Sequence, residues 1–310
     1  MTGDRIELAV HDHGGDGPPL LLLHGARRTL ADWAAVAPLL VPRHRVLAVD
    51  LRGHGLSPSG TWSLPRVLDD IEAVLERYGL PGALPVGHSL GGMIAVRYGL
   101  EHPDVTPGAV NLDGYGWGRP DQYVGLDPVY VEERLTQVRE SATATVSGGP
   151  LPADGLKDLL AEQRALSDQL GIPYELLEAG LLRSVRPAPD GRLEVHPERA
   201  LVLEMLAAVD ALDLFDLFDL FDAFARTRRP LLLGRAVRPV PPAPGLPWLD
   251  ELMTAYGKGL ARDLAELAVR RTTVRVVGID GTHEMLLESP GAVAHALLAF
   301  TSEVFPGSDS

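Results

Sequence analysis

The sequence predicts an α/β fold built on a doubly wound, mostly parallel sheet, and three observations carry that expectation. Short apolar runs ending in glycine recur along the 310 residues. The runs are apolar throughout rather than alternating, as strands covered on both faces must be. Between them lie stretches with apolar residues at helical spacing, so the chain reads as strands joined by helical crossovers.

The strands, in order, are PPLLLLHG (18 to 25), HRVLAVDLRG (44 to 53), ALPVGHS (83 to 89), GAVNLDG (108 to 114), RPLLLG (229 to 234) and TVRVVGIDG (273 to 281). Residues 64 to 78 place Leu64, Val67, Leu68, Ile71, Val74, Leu75 and Tyr78 on one stripe, which predicts an amphipathic crossover helix. From Gly114 to Pro230 the rhythm stops, and no clear strand pair is visible. Four helical patterns fill the interval: PVYVEERLTQVRESA, ADGLKDLLAEQRALSDQLG, PYELLEAGLLRSVR and HPERALVLEMLAAVDALDLF, with Pro/Gly breaks at 148 to 152 and 187 to 191. A helical insertion at the carboxyl ends of the strands would lie over the crevice where such sheets bind ligands, as a cap.

Within this interval DLFDLFDLFD (213 to 222) is the one low-complexity segment. A period of three drifts by about 60° per repeat on a helix, so neither the aspartates nor the phenylalanines hold one face. Phe215, Phe218, Phe221 and Phe224 are four of the six phenylalanines, and they suit helix packing within the cap or, at Phe218, a wall of the substrate pocket. Asp213, Asp216, Asp219 and Asp222 lack the loop glycine and spacing of a calcium cage.

Composition narrows the function. A formal charge of −14 with no basic stripe argues against a polyanion, so nucleic acid is not an expected partner. The absence of cysteine removes a disulfide framework, a thiolate metal site and a cysteine nucleophile. MTGDRIELAV resembles neither a signal peptide nor an anchor, and no apolar run is long enough for a bilayer. The expected chain is soluble and cytoplasmic, contacts no membrane, and leaves room for a homodimer.

LPVGHSLGG (84 to 92) carries the chemistry. Gly87-His88-Ser89-Leu90-Gly91 fits Gly-x-Ser-x-Gly between a strand and a helical run, a setting that exposes the serine hydroxyl at the tip of a strained turn. A serine hydroxyl needs a base. Of the ten histidines, His283 follows the last strand in GIDGTHEMLLESP and so lies on the same rim as Ser89, with an imidazole suited to proton shuttling. His11 and His13 are two ligands in a surface hairpin, a weak case for a metal.

The strings LLLHGARRTLADW, VLAVDLRGHGLS, VGHSLGG and GTHEMLLESP, in this order and at these intervals, resemble the α/β-hydrolase fold superfamily, in its capped esterase, haloperoxidase and epoxide-hydrolase-like branch. The resemblance spans nearly the whole chain. It implies an eight-stranded sheet, with residues 1-117 and 227-310 as the core and 118-226 as a helical cap between the sixth and seventh strands. It also implies Ser89 as nucleophile and His283 as base, with no cofactor and no metal, and disfavours the branches that use an aspartate nucleophile. Oxyanion donors are implied at the backbone N–H groups of Ala26 and Leu90.

The third member departs from the common pattern. The loop after RPLLLG has arginines and prolines but no carboxylate before Asp250, where most relatives carry the acid. A minority place it after the strand that follows the nucleophile helix, which here ends in Asp113, 24 residues past Ser89. Asp113 is the expected acid, although a strand-end turn former would look the same, and Asp280 is the competing carboxylate. Asp50 reads as a structural turn. Arg27 and Arg28 sit at the expected pocket mouth, solvated or gripping a substrate carboxylate, and Tyr115 and Trp117 line the pocket or pack beneath the cap. The expected activity is hydrolysis of a carboxylic ester or lactone of a small, partly apolar molecule. The alternatives are C–C bond hydrolysis or a biosynthetic ring-opening or cyclisation with the same triad, and, from another class, a non-catalytic small-molecule receptor.

Overall fold

The structure, a computed structural model, describes residues 5–146, 148–211, 229–239 and 245–306. β1 (Val10–Gly14), β2 (Pro19–Leu23), β3 (Arg45–Val49), β4 (Leu84–His88) and β5 (Ala109–Leu112) precede a long inserted stretch. It holds β6 (Gly149–Pro150), β7 (Val185–Pro187) and β8 (Leu193–Val195), and β9 (Leu231–Ala236) and β10 (Val274–Ile279) follow it. The main sheet runs β1-β3-β2-β4-β5-β9-β10, with β1 antiparallel to β3 and all other pairs parallel.

The runs are apolar on both faces because both faces are covered. Leu20, Leu22, Val46, Ala48, Val86, Val110 and Leu232 pack against α1 (Ala37–Leu40) and a C-terminal helix. Leu21, Leu23, Leu47 and Val49 face α2 (Leu64–Tyr78) and α3 (Leu90–Glu101). α2 buries the stripe foreseen from its spacing as far as Leu75, with Tyr78 half-buried, and also Asp70, which accepts a bidentate ion pair from the buried Arg52. In α3 residues 90 to 96 are all buried, as suits a helix lodged at the middle of the sheet.

The inserted stretch carries α4 (Pro128–Thr145), α5 (Gly155–Leu170), α6 (Tyr174–Ser184) and α7 (Arg199–Ala211), close to the four helical patterns. Ion pairs and hydrogen bonds, two arginines among their donors, hold it to the core. Arg183 pairs with the buried Asp50 at 2.8 Å, and Arg186 donates to the carbonyls of His54, Gly55 and Ser57. Leu201, Val202 and Met205 of α7 join the core of the α2 face. After β9 comes α8 (Pro247–Arg270), whose Leu252, Tyr256, Leu260 and Leu264 cover β5, β9 and β10; α9 (Met285–Glu288) and α10 (Pro290–Val304) end the chain.

Three expectations are corrected. The main sheet has seven strands among the described residues, not eight: β1 pairs with β3 from Val10 onward, and before it one backbone bond, from Asp50 N–H to Ala9 O at 2.9 Å, continues the contact. The insertion therefore falls between the fifth and sixth strands of that sheet. It is not wholly helical: β6, β8 and β7 form a small antiparallel sheet, and strands of two or three residues are too short to show an alternation. The DLFDLFDLFD run, with Phe215, Phe218, Phe221 and Phe224, lies outside the described residues. Among the described residues no helix is long and apolar enough to cross a membrane.

Candidate active site

Parallel register sets the site. Gly87 pairs with Asn111, His88 with Leu112, Leu112 with Gly234 and Ala236 with Ile279, so β4, β5, β9 and β10 end at one edge. Ser89, Asp113 and the loop bearing His283 emerge there together. Among the described residues the only non-glycine positions with left-handed φ are Arg27 (59°), Ser89 (53°) and Asp113 (56°). Such backbone costs about 1–3 kcal/mol each and clusters where geometry serves function. All three lie at this edge or on the turn facing it.

The glycines around Ser89 answer to close approach. A side chain at Gly87 would overlap the backbone of Gly91, and one at Gly91 would overlap the carbonyls of Leu23 and His24. Ser89 N–H donates to Leu112 O at 2.8 Å, which ties the turn to the next strand. Asn111, buried in an otherwise apolar strand, accepts from Gly114 N–H and donates to Gly114 O, both at 2.8 Å, bracketing the Asp113 turn. A lone polar residue in the apolar strand AVNL is the sequence signal of that bracket.

His283 Nδ1 donates to Asp113 Oδ2 at 2.7 Å, and Asp113 Oδ1 accepts from Ala236 N–H at 2.9 Å. Burial would lower the His283 pKa, but the hydrogen bond and charge of Asp113 outweigh it and hold the imidazole above its ordinary value. Burial would raise Asp113, yet the same pairing and the Ala236 amide keep the carboxyl below its usual range. Asp280 points away, its carboxylate exposed and paired with Arg238 at 3.2 Å. Among the described residues the Ser89 hydroxyl has no hydrogen-bond partner.

The turn after β2 packs against Ser89: a methyl group on Gly25 would lie 3.2 Å from Ser89 Cβ and 3.6 Å from Arg28 Cγ. Two neutral histidines shape it. His24 Nε2 accepts from Leu51 N–H at 2.9 Å and His54 Nε2 from Arg27 N–H at 3.2 Å; burial pushes them down to about 4 and about 3. Ala26 is exposed at the tip of this turn, and Leu90 opens α3, where an N–H has no acceptor within its own helix. Arg28 makes a bidentate pair with Asp32 and reaches Glu284, beside His283, at 3.2 Å.

Across that turn lies a cavity of about 490 Å³, bounded by Arg27, Arg28 and Asp32 on one side and by Leu159, Leu177 and His196 of the inserted stretch on the other. Ser89 and His283 do not line it; the Gly25–Arg28 turn stands between them and it. Tyr115 and Trp117 are not at this cavity. Tyr115 is buried in the core against α8 with its hydroxyl on Gly234 O at 2.9 Å, and Trp117 packs on the same cluster, because the chain leaving Asp113 turns onto the face that α8 covers. Glu194, His196 and Glu198 bring three ligand atoms within 4.8 Å of one another, apart from this edge and with Glu198 exposed.

Comparisons with known proteins agree with the fold. A family model described as alpha/beta hydrolase fold matches residues 18–165. A protein of Caulobacter segnis provisionally named a carbamate hydrolase is 34% identical over 215 residues, 65% of this chain and 78% of that one. A fluoroacetate dehalogenase of Burkholderia is 39% identical over 107 residues, but this chain spans only 35% of its length. The crystal structure of E-2-(acetamidomethylene)succinate hydrolase superposes with a TM-score of 0.69 at 22% identity, covering 96% of each chain. The chain belongs to the α/β-hydrolase fold family.

Proposed function

We propose that the protein is a serine hydrolase cleaving a carboxylic ester or lactone of a small, partly apolar molecule. The observation that carries this is the His283–Asp113 hydrogen bond of 2.7 Å at the edge where Ser89 stands on a strained turn. Ser89 Oγ attacks the carbonyl carbon while its proton passes to His283 Nε2, and the leaving alcohol takes that proton. Water then attacks the acyl-enzyme with His283 again as base, releasing the acid and restoring the serine. Asp113 fixes the imidazole with Nδ1 protonated and stabilises the imidazolium. The N–H groups of Ala26 and Leu90 receive the developing oxyanion, each donor contributing about 3–4 kcal/mol.

The hydrogen bond from Ser89 to His283 is absent here among the described residues, and such a bond between nucleophile and base commonly forms only once substrate is bound. The inserted stretch acts as the cap, and Arg27, exposed on the turn that packs against Ser89, is placed to meet a substrate carboxylate. The name of the Caulobacter relative also describes attack at a carbonyl carbon. A panel of p-nitrophenyl esters of graded chain length, set beside lactones, tests the reading. Turnover of one class is expected, with Ser89→Ala lowering kcat by about 10⁴- to 10⁶-fold. A fluorophosphonate should label Ser89; full turnover by Ser89→Ala, or no labelling, would discard the mechanism.

A further inference from the structure

We infer that His88 is a positioning residue, tying the base to the nucleophile's strand through a hydrogen bond from its Nε2–H to the backbone carbonyl of His283. This rests on the reading of Ser89 and His283 given above. The bond is 2.8 Å long and joins residues 195 apart in sequence; the ring is buried, with its centroid 4.8 Å from that of His283. A carbonyl only accepts, so Nε2 carries the proton and Nδ1 is a bare acceptor.

The other bonds that hold the base's loop stay away from the nucleophile's strand. Thr282 is fixed by Glu288, and Glu284 by Arg28. The Asp113 bond holds the ring from the β5 side. The bond from His88 alone among these runs from the end of β4, one residue before Ser89, to the backbone that carries the base. It therefore sets the distance across which the proton must move, and such distances are unforgiving in a near-attack arrangement.

Two further observations separate this role from packing. His88 Nδ1 is buried without a hydrogen-bond partner, next to the turn at Gly25. A buried orphan acceptor destabilises a fold, so packing alone would favour an apolar side chain there. Secondly, burial and the neighbouring His283 push His88 down to about 3, so it stays neutral while His283 cycles. The groups facing His283 are then Asp113 from β5, Glu284 from its own loop, Arg28 from the turn after β2, and a neutral dipole from β4. A second basic imidazole at 4.8 Å would compete for the serine proton; this one does not.

The experiment compares His88→Leu with His88→Gln, whose amide nitrogen reaches as far as Nε2 and can donate to the same carbonyl. His88→Leu is expected to lower kcat by up to about 100-fold with KM little changed. The acid limb of its pH–rate profile should move down as His283 loosens from Asp113. His88→Gln should recover most of the loss. Wild-type kcat and profile in His88→Leu would overturn the inference, as would equal damage in both variants at unchanged melting temperature. If His88→Leu does not fold, ¹⁵N NMR of the wild-type protein decides. A neutral Nε2–H tautomer persisting from about pH 8 to about pH 5 is expected. An Nδ1–H tautomer, or protonation near the ordinary value of about 6.5, would overturn it. The NMR arm needs no turnover, so it can fail or succeed independently of the Ser89→Ala result.

Discussion

Three strained residues, Arg27, Ser89 and Asp113, mark the edge of the sheet where chemistry is proposed, and hydrogen bonds to their neighbours hold each in place. Asp113 is the clearest case, because one carboxylate oxygen is spent on Ala236 N–H and the other on His283. Asp113→Asn should lower kcat by about 10⁴-fold, since the amide supports the wrong tautomer. Asp280→Asn, on an exposed carboxylate paired with Arg238, should stay near wild type. Steady-state kinetics on the best p-nitrophenyl ester checks the pair, and the reverse ranking would move the acid to Asp280. The base works only when neutral, so kcat/KM should fall as pH drops through a midpoint raised from the ordinary histidine value by Asp113. In Asp113→Asn, without the carboxylate that raises His283, that midpoint should move down.

At the scale of elements, legibility followed length. α2 was readable to the residue because fifteen positions give several turns of one stripe, and the turn at Ser89 because its glycines each answer to a backbone contact. β6, β7 and β8 were invisible, being two or three residues long and held by pairing with one another. α8 is the exception to length: its 24 residues bury Leu252, Tyr256, Leu260 and Leu264 at a spacing of four, a helical stripe that the sequence carries. How the inserted stretch meets the core was also unreadable, since it depends on Arg183 reaching Asp50 across 133 positions. Arg183→Met should destabilise the protein by about 1–3 kcal/mol, because Asp50 loses its counter-charge but keeps the Leu30 and Leu56 amides. Urea unfolding measures the loss, and limited proteolysis should show faster cleavage within residues 148–211. An unchanged midpoint with unchanged cleavage would show that the clamp is incidental.

At the scale of the whole molecule, buried neutral histidines make the fold sensitive to acid. His24 and His54 sit beneath the Gly25–Arg28 turn with pKa values near 4 and near 3, while the unfolded chain takes up those protons near 6.5. As pH falls through that window the unfolded state binds protons that the native state refuses. Stability is therefore full above about 6.5 and declines toward about 4, by about 1.4 kcal/mol per pH unit for each histidine. His54→Gln keeps an acceptor for Arg27 N–H but does not titrate, so its unfolding free energy should lose about 1.4 kcal/mol per unit of that slope. A slope equal to wild type between about pH 4.5 and about pH 6.5 would refute the assignment.

The sequence by itself determined six of the seven strands of the main sheet, the crossover helix α2, the turn that strains Ser89, and the candidates His283 and Asp113, because periodicity and turn chemistry are local properties of a chain. Only the tertiary structure decided that Asp113 and not Asp280 faces the imidazole, that Tyr115 belongs to the core, and that His88 reaches the carbonyl of His283. Those outcomes depend on parallel register, in which Gly87 lies beside Asn111 and Leu112 beside Gly234, and register is set by packing both faces of the sheet at once.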